Sequence, residues 1–190
     1  MIPQPENPSE TSGPSSTELA TRLHALLTGD LRWSLACAES CTGGLIAHRI
    51  TTNAGSSDYF QGSAVTYSNA AKRTMLGVPQ DTLDRVGAVS EACASAMAEG
   101  ARAAFAADLA VATTGIAGPG GATARKPVGL VFIAVAGAGP TTVQEHRFHG
   151  NRAAVIEQAT TAALSLLIEH LEQSRPVEPI SPAATQRSPV

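Results

Sequence analysis

The segment AESCTGG, residues 38–44, joins the apolar run WSLACA to LIAHRIT, whose apolar residues recur at helical spacing. Ser40 therefore stands just past a buried strand and just before a helix, where a hydroxyl is exposed beside the free N–H groups of a helix start. A serine so placed can attack an electrophilic carbon if a base takes its proton and N–H groups meet the developing oxyanion. Gly43 and Gly44 let the backbone approach a ligand closely. A plainer role is also open, in which Ser40 or Thr42 simply caps the helix. The segment is not a G-x-S-x-G elbow, because Ala38 and Thr42 occupy the flanking positions.

A base is available in TYSNAAK, where Tyr67 ends a strand-like run, Ser68 and Asn69 turn the chain, and Lys72 falls in the first turn of the next helix. The helix dipole disfavours a cation there, and destabilising the charged form is what a general base requires. The alternative is a solvated surface lysine. Composition adds to the question: of thirteen Lys and Arg residues only Lys72 and Lys126 are lysine. Lysine can lose its proton when desolvated and arginine cannot.

A third stretch, TTGIAGPGGATARKPVG at 113–129, holds five glycines and two prolines between two strand-like runs. That composition suits a backbone cradle around a ligand. It is neither a Walker loop, since no Gly-Lys-Ser/Thr follows, nor a dinucleotide fingerprint. The histidines offer no metal set. His146 and His149 point to opposite faces of a predicted strand, and His24, His48 and His170 lie at no ligand spacing.

These loops need a scaffold. Apolar periodicity predicts helices at 17–27, 43–51, 69–76, 90–105 and 151–173, and strands at 33–38, 63–67, 109–114, 128–136 and 141–148. Strands alternating with helices argue for a single-domain layered α/β/α sandwich. The short GAGP turn makes the last two strands an antiparallel hairpin, so the sheet is mixed and only partly parallel. Ligands of such sheets bind beyond the carboxyl ends of the strands, where the three loops lie.

A chain of 190 residues suits one well-buried domain, here placed at 17–173, and the Pro- and Ser-rich segments 1–16 and 174–190 read as disordered tails. The net charge of −3, with no local basic patch, argues against a nucleic-acid partner. No apolar run approaches the roughly 20 residues of a membrane helix, and the N-terminus lacks a signal-peptide pattern. An odd set of three cysteines, Cys37, Cys41 and Cys93, fits a reduced, cytoplasmic setting.

In this order the segments AESCTGGLIA, GSSDYFQGSAVTYSNAAK, GAVSEACASAMAEGAR and TTGIAGPGG…KPVG resemble the CinA C-terminal domain family, across residues 19–171. Its enzymatic members are nicotinamide mononucleotide amidohydrolases. The resemblance implies hydrolysis of the carboxamide of nicotinamide mononucleotide to nicotinate mononucleotide and ammonia, with no cofactor and no metal. It implies the stand-alone form of the enzyme, without the large domain resembling molybdopterin-binding proteins that some members carry, and a homo-oligomer, dimer or larger. The family's serine nucleophile falls on Ser40, its tyrosine on Tyr67, its lysine on Lys72 and its threonine on Thr114.

Around these the loops supply the candidate substrate-binding residues Glu39, Cys41, Thr42, Gly43, Gly44, Asn69, Thr114, Gly115, Gly118 and Lys126. The oxyanion site falls either at the N–H groups of 41–43 or at those of 114–115. Two rival readings keep the fold: a non-catalytic module that binds a nucleotide or a protein, and an amidohydrolase of a different nucleotide amide.

Overall fold

The computed structural model describes residues 13–29 and 31–174. The elements run α1 (Ser16–Thr28), β1 (Leu35–Glu39), α2 (Leu45–Thr51), β2 (Phe60–Val65), α3 (Asn69–Leu76), α4 (Gln80–Arg85), α5 (Glu91–Ala104), β3 (Leu109–Gly115), β4 (Leu130–Ala136), β5 (Thr142–Arg147) and α6 (Arg152–Gln173). One five-stranded sheet has the order β2-β1-β3-β4-β5. β2, β1 and β3 are parallel, whereas β4 and β5 add as antiparallel neighbours. The fold is the mixed α/β sheet expected, with helices on both faces.

The two faces differ in side-chain size, and the strand sequences say why. Alternation in LACAE, LAVATTG and LVFIAVA sends Leu35, Cys37, Leu109, Val111, Val131, Ile133 and Val135 to one face, under α1 and α6. The opposite face receives Ala36, Ala38, Ala110, Ala112, Ala134 and Ala136. On the large-residue face, each buried leucine such as Leu23 or Leu167 contributes roughly 1.5–3 kcal/mol. On the alanine face, α5 presents Cys93, Ala94, Met97, Ala98 and Ala101, so small groups on both sides let the helix lie close to the sheet.

Close approach continues at the next layer. A Cβ added at Gly100 of α5 would stand 1.9 Å from the Leu76 carbonyl oxygen, so the last turn of α3 rests directly on α5. A mid-helix glycine costs about 1 kcal/mol relative to alanine. Here it permits a backbone contact that any side chain would block.

Several boundaries differ from expectation. α1 starts at Ser16, with Ser15 and Glu18 forming a reciprocal capping box. Ser16 is buried and its hydroxyl bonds to Glu157 while accepting from Arg49, so it belongs to the domain rather than to a tail. The rest of the expected 1–16 tail lies outside the described residues, except 13–15, as does the 174–190 tail beyond Ser174. β2 begins at Phe60 rather than 63, because Gly62 is held inside the strand with the Phe105 ring against it, leaving no room for a Cβ. α4 was not expected: six residues behind Pro79, with Leu83 alone buried, are too few to show a period. α2 starts at Leu45, not 43, because Gly43 and Gly44 take φ of 65° and 102° and turn the chain into it.

Candidate active site

At the carboxyl ends of β1, β2 and β3 a cleft of about 250 Å³ is lined by residues from all three predicted loops, among them Ser40, Cys41, Tyr67, Asn69, Lys72, Thr114, Gly115 and Gly118. Ser40 continues β1, its N–H donating to the Thr113 carbonyl at 3.0 Å, and the Gly43 N–H closes a turn onto the Ser40 carbonyl at 3.2 Å. The Cys41 N–H, beside the serine, has no backbone acceptor among the described residues.

The helix start behind Ser40 is occupied by the protein itself. Glu39 is fully buried, and its carboxyl oxygens accept from the N–H groups of Gly44 (2.9 Å), Ile46 (3.2 Å) and Ala47 (3.0 Å). The hydroxyls of Thr42 (2.8 Å) and Ser63 (3.3 Å) donate to it as well. Glu39, Thr42, Gly43 and Gly44 therefore do not line the cleft. They build the support under Ser40, and the expectation that the N–H groups of this helix start face a ligand is corrected: Glu39 takes those of Gly44, Ile46 and Ala47, satisfying orphan donors that a buried helix end must satisfy somehow.

Lys72 is 2% exposed, and its Nζ donates to Ser40 Oγ at 3.0 Å and to the Thr66 carbonyl at 2.7 Å. It enters from the first turns of α3, which Ser68 caps by accepting from the Ala71 N–H. Burial pushes its pKa below the ordinary lysine value, and the Cys93 and Cys41 thiols oppose this. No ion pair involves Lys72 among the described residues. Cys41, the other nucleophile type in the cleft, is pushed up to about 11, chiefly by burial, and so stays a thiol at neutral pH.

The remaining candidates divide. Thr114 lines the cleft while its hydroxyl donates to the Ala88 carbonyl at 2.8 Å, tying β3 to the segment before α5. Tyr67 is 62% exposed, and its hydroxyl accepts from Arg152 Nη2 at 2.7 Å; it bonds to neither Ser40 nor Lys72, so a proton relay through it has no direct contact to run on. Lys126 is outside the cleft, donating to the Val86 carbonyl at 2.6 Å. No group of three or more His, Cys, Asp or Glu side chains converges as a metal site among the described residues.

Arg152, Ala88 and Val89 also line the cleft and were missed. Arg152 bridges the mouth, with Nη1 donating to the Gly118 carbonyl at 2.9 Å and Nη2 to Tyr67. A signal existed: Arg152 directly follows the cap Asn151 at the start of α6, a position where the helix dipole disfavours a cation, which is the reasoning that picked out Lys72.

Residues 16–171 match the family model for the CinA C-terminal domain. A CinA-like protein of Mycolicibacterium vanbaalenii is 55% identical over 135 residues, 70% of this chain and 32% of that protein. A CinA-like protein of Geotalea daltonii is 54% identical over 138 residues, 73% of this chain and 33% of its own length. The chain thus spans about a third of the length of these curated relatives. Among solved structures, the competence/damage inducible protein CihA from Agrobacterium tumefaciens superposes with a TM-score of 0.81 at 44% identity, covering 87% of this chain and 100% of that one. A CinA superfamily protein from Klebsiella pneumoniae gives 0.80 at 38% identity, covering 84% and 99%.

Proposed function

The chain belongs to the CinA C-terminal domain family, and from that premise we propose that it hydrolyses the carboxamide of nicotinamide mononucleotide, giving nicotinate mononucleotide and ammonia. The observation that carries this reading is the 3.0 Å contact between Lys72 Nζ and Ser40 Oγ, with both groups buried at the head of one cleft. A serine needs a base to attack an amide, and burial that lowers the pKa of the amine beside it favours the neutral form that can act as that base.

In the proposed sequence the neutral amine of Lys72 takes the Ser40 proton as Oγ bonds to the carboxamide carbon. The carbonyl π electrons move to oxygen, where the Cys41 N–H, which has no backbone acceptor among the described residues, is a donor on the nucleophile's own turn. Collapse of this intermediate expels the amide nitrogen, which takes the proton from the Lys72 ammonium and leaves as ammonia. Lys72 then takes a proton from water as its oxygen attacks the ester carbon, and returns it to Ser40 Oγ when the acid departs. Arg152, permanently charged and at the mouth, suits the phosphate of a mononucleotide better than a neutral amide would require.

The test is ammonia release from nicotinamide mononucleotide by the purified chain, with Ser40→Ala alongside. Ser40→Ala is expected to lower turnover by about 10³-fold or more with the fold intact. Near-normal turnover by that variant would remove serine from the reaction, and no turnover by the native chain would turn the reading toward another amide.

A further inference from the structure

Thr66 stands between the two halves of the Ser40–Lys72 pair. Its N–H donates to the Glu39 carbonyl at 2.8 Å, carrying the β1–β2 ladder one residue past the end of β2, and its carbonyl accepts from Lys72 Nζ at 2.7 Å. The residue is fully buried. Its hydroxyl oxygen is the one buried side-chain nitrogen or oxygen among the described residues that has no hydrogen-bond partner. A polar atom in that state costs stability, and native proteins seldom keep one without a use for it.

Strand alternation says where that hydroxyl sits. Ala64, two residues earlier, faces the alanine side of the sheet under α5, and the continued ladder puts the Thr66 side chain on the same side, the one from which α3 delivers Lys72. The hydroxyl and the carbonyl that already holds Nζ belong to one residue, separated only by its Cα and Cβ. Rotation about a single bond therefore moves the hydroxyl relative to an amine whose position the carbonyl has fixed.

The chemistry of Lys72 supplies the need. An ammonium carries three N–H donors. In this structure two go to Ser40 Oγ and the Thr66 carbonyl, and no carboxylate among the described residues pairs with the group. The titratable and charged groups around it are the Cys41 thiol beside the nucleophile, the Cys93 thiol on α5, and Tyr67 and Arg152 on the cleft side. Burial raises both thiols, so neither is an anion at neutral pH. The ammonium depends on hydrogen-bond acceptors alone.

We propose that Thr66 is a positioning residue for Lys72: its carbonyl holds the amine against Ser40, and its hydroxyl becomes the third acceptor once that amine has taken the serine proton. The proposal rests on the Ser40–Lys72 reading above, but its test needs no substrate. Because Lys72 and Lys126 are the only lysines, protein labelled with ¹³C-lysine gives two Cε signals, and Lys126, with its amine at the surface, serves as the internal reference. Thr66→Val keeps the shape and removes the acceptor.

Its Lys72 titration is expected about one pH unit below that of the native chain, the size of one lost hydrogen bond to a charged group, with Lys126 unmoved. Thr66→Ser, which keeps the hydroxyl, is expected to titrate like the native chain, and Thr66→Ala gives the same reading as valine should valine disturb the fold. With an amide that the native chain turns over, Thr66→Val is further expected to lower kcat about 10-fold at unchanged KM. If Thr66→Val or Thr66→Ala leaves the Lys72 titration in place and only raises the melting temperature, the hydroxyl is an idle buried polar atom and the proposal fails. That result is distinct from an absence of ammonia release by the native chain, which would overturn the substrate and leave the titration readable.

Discussion

Lys72 stands in the first turns of α3 and Lys126 in the glycine-rich loop, and each donates to a backbone carbonyl at short range, 2.7 Å to Thr66 and 2.6 Å to Val86. What separates them is water. Lys72 is 2% exposed, packed behind the nucleophile under α5, with burial as the leading cause of its lowered pKa. Lys126 keeps its amine at the surface, where it fastens the glycine-rich loop to the chain just after α4. The same side chain is thus a buried amine with a lowered pKa in one place and a surface tether in the other, and the difference is made by what surrounds it rather than by the hydrogen bonds it forms.

The sharpest break in this contrast is charge without basicity. Lys72→Arg keeps a cation but cannot become neutral, so turnover of the accepted amide is expected to fall about 10³-fold or more, as far as for Ser40→Ala. Retained activity in Lys72→Arg, measured by ammonia release, would make the residue a mere electrostatic anchor.

A smaller effect concerns stability. Because the folded-state pKa of Lys72 is depressed, the unfolded chain holds that proton more tightly, and the native chain gains stability as pH rises from the folded value to the unfolded lysine value of about 10.4. Lys72→Met removes the buried amine. Its melting temperature is expected to exceed that of the native chain at neutral pH, with the advantage shrinking toward that upper value. A gap that stays constant across the pH series would mean that the amine is not the source of the cost.

The least effect belongs to the other lysine. Lys126→Met gives up one surface hydrogen bond to Val86 and is expected to change turnover by less than about 2-fold and stability by no more than about 0.5 kcal/mol. A large loss of turnover in Lys126→Met would bring the glycine-rich loop into the chemistry and undo the contrast between the two residues.

Residue type and local position singled out Ser40 and Lys72 while leaving a plainer role open for each, and the structure sets the two side chains 3.0 Å apart. The layered α/β architecture was legible from the alternation of periods, and the hairpin of β4 and β5 from a short turn. Glu39 was expected among the substrate-binding residues because it lies in the loop that carries Ser40. Only the coordinates show it turned inward to the N–H groups of α2. Thr66 carried no signal at all, since threonine in a strand is common and what sets it apart, a buried hydroxyl without a partner, is a property of packing. Tyr67 and Arg152 meet across 85 positions of sequence, a pairing that neither periodicity nor spacing encodes.

Gly100 gives the alignment of Ser40 with Lys72 an unexpected point of control. It touches neither Ser40 nor Lys72, yet α3 can settle onto α5 only because nothing projects there toward the Leu76 carbonyl. Lys72 lies one helical turn before that carbonyl, on the same short helix. The spacing between Lys72 and Ser40 is therefore gauged from behind, by a missing methyl group, much as the height of a lever's tip is set by the thickness of the shim under its far end.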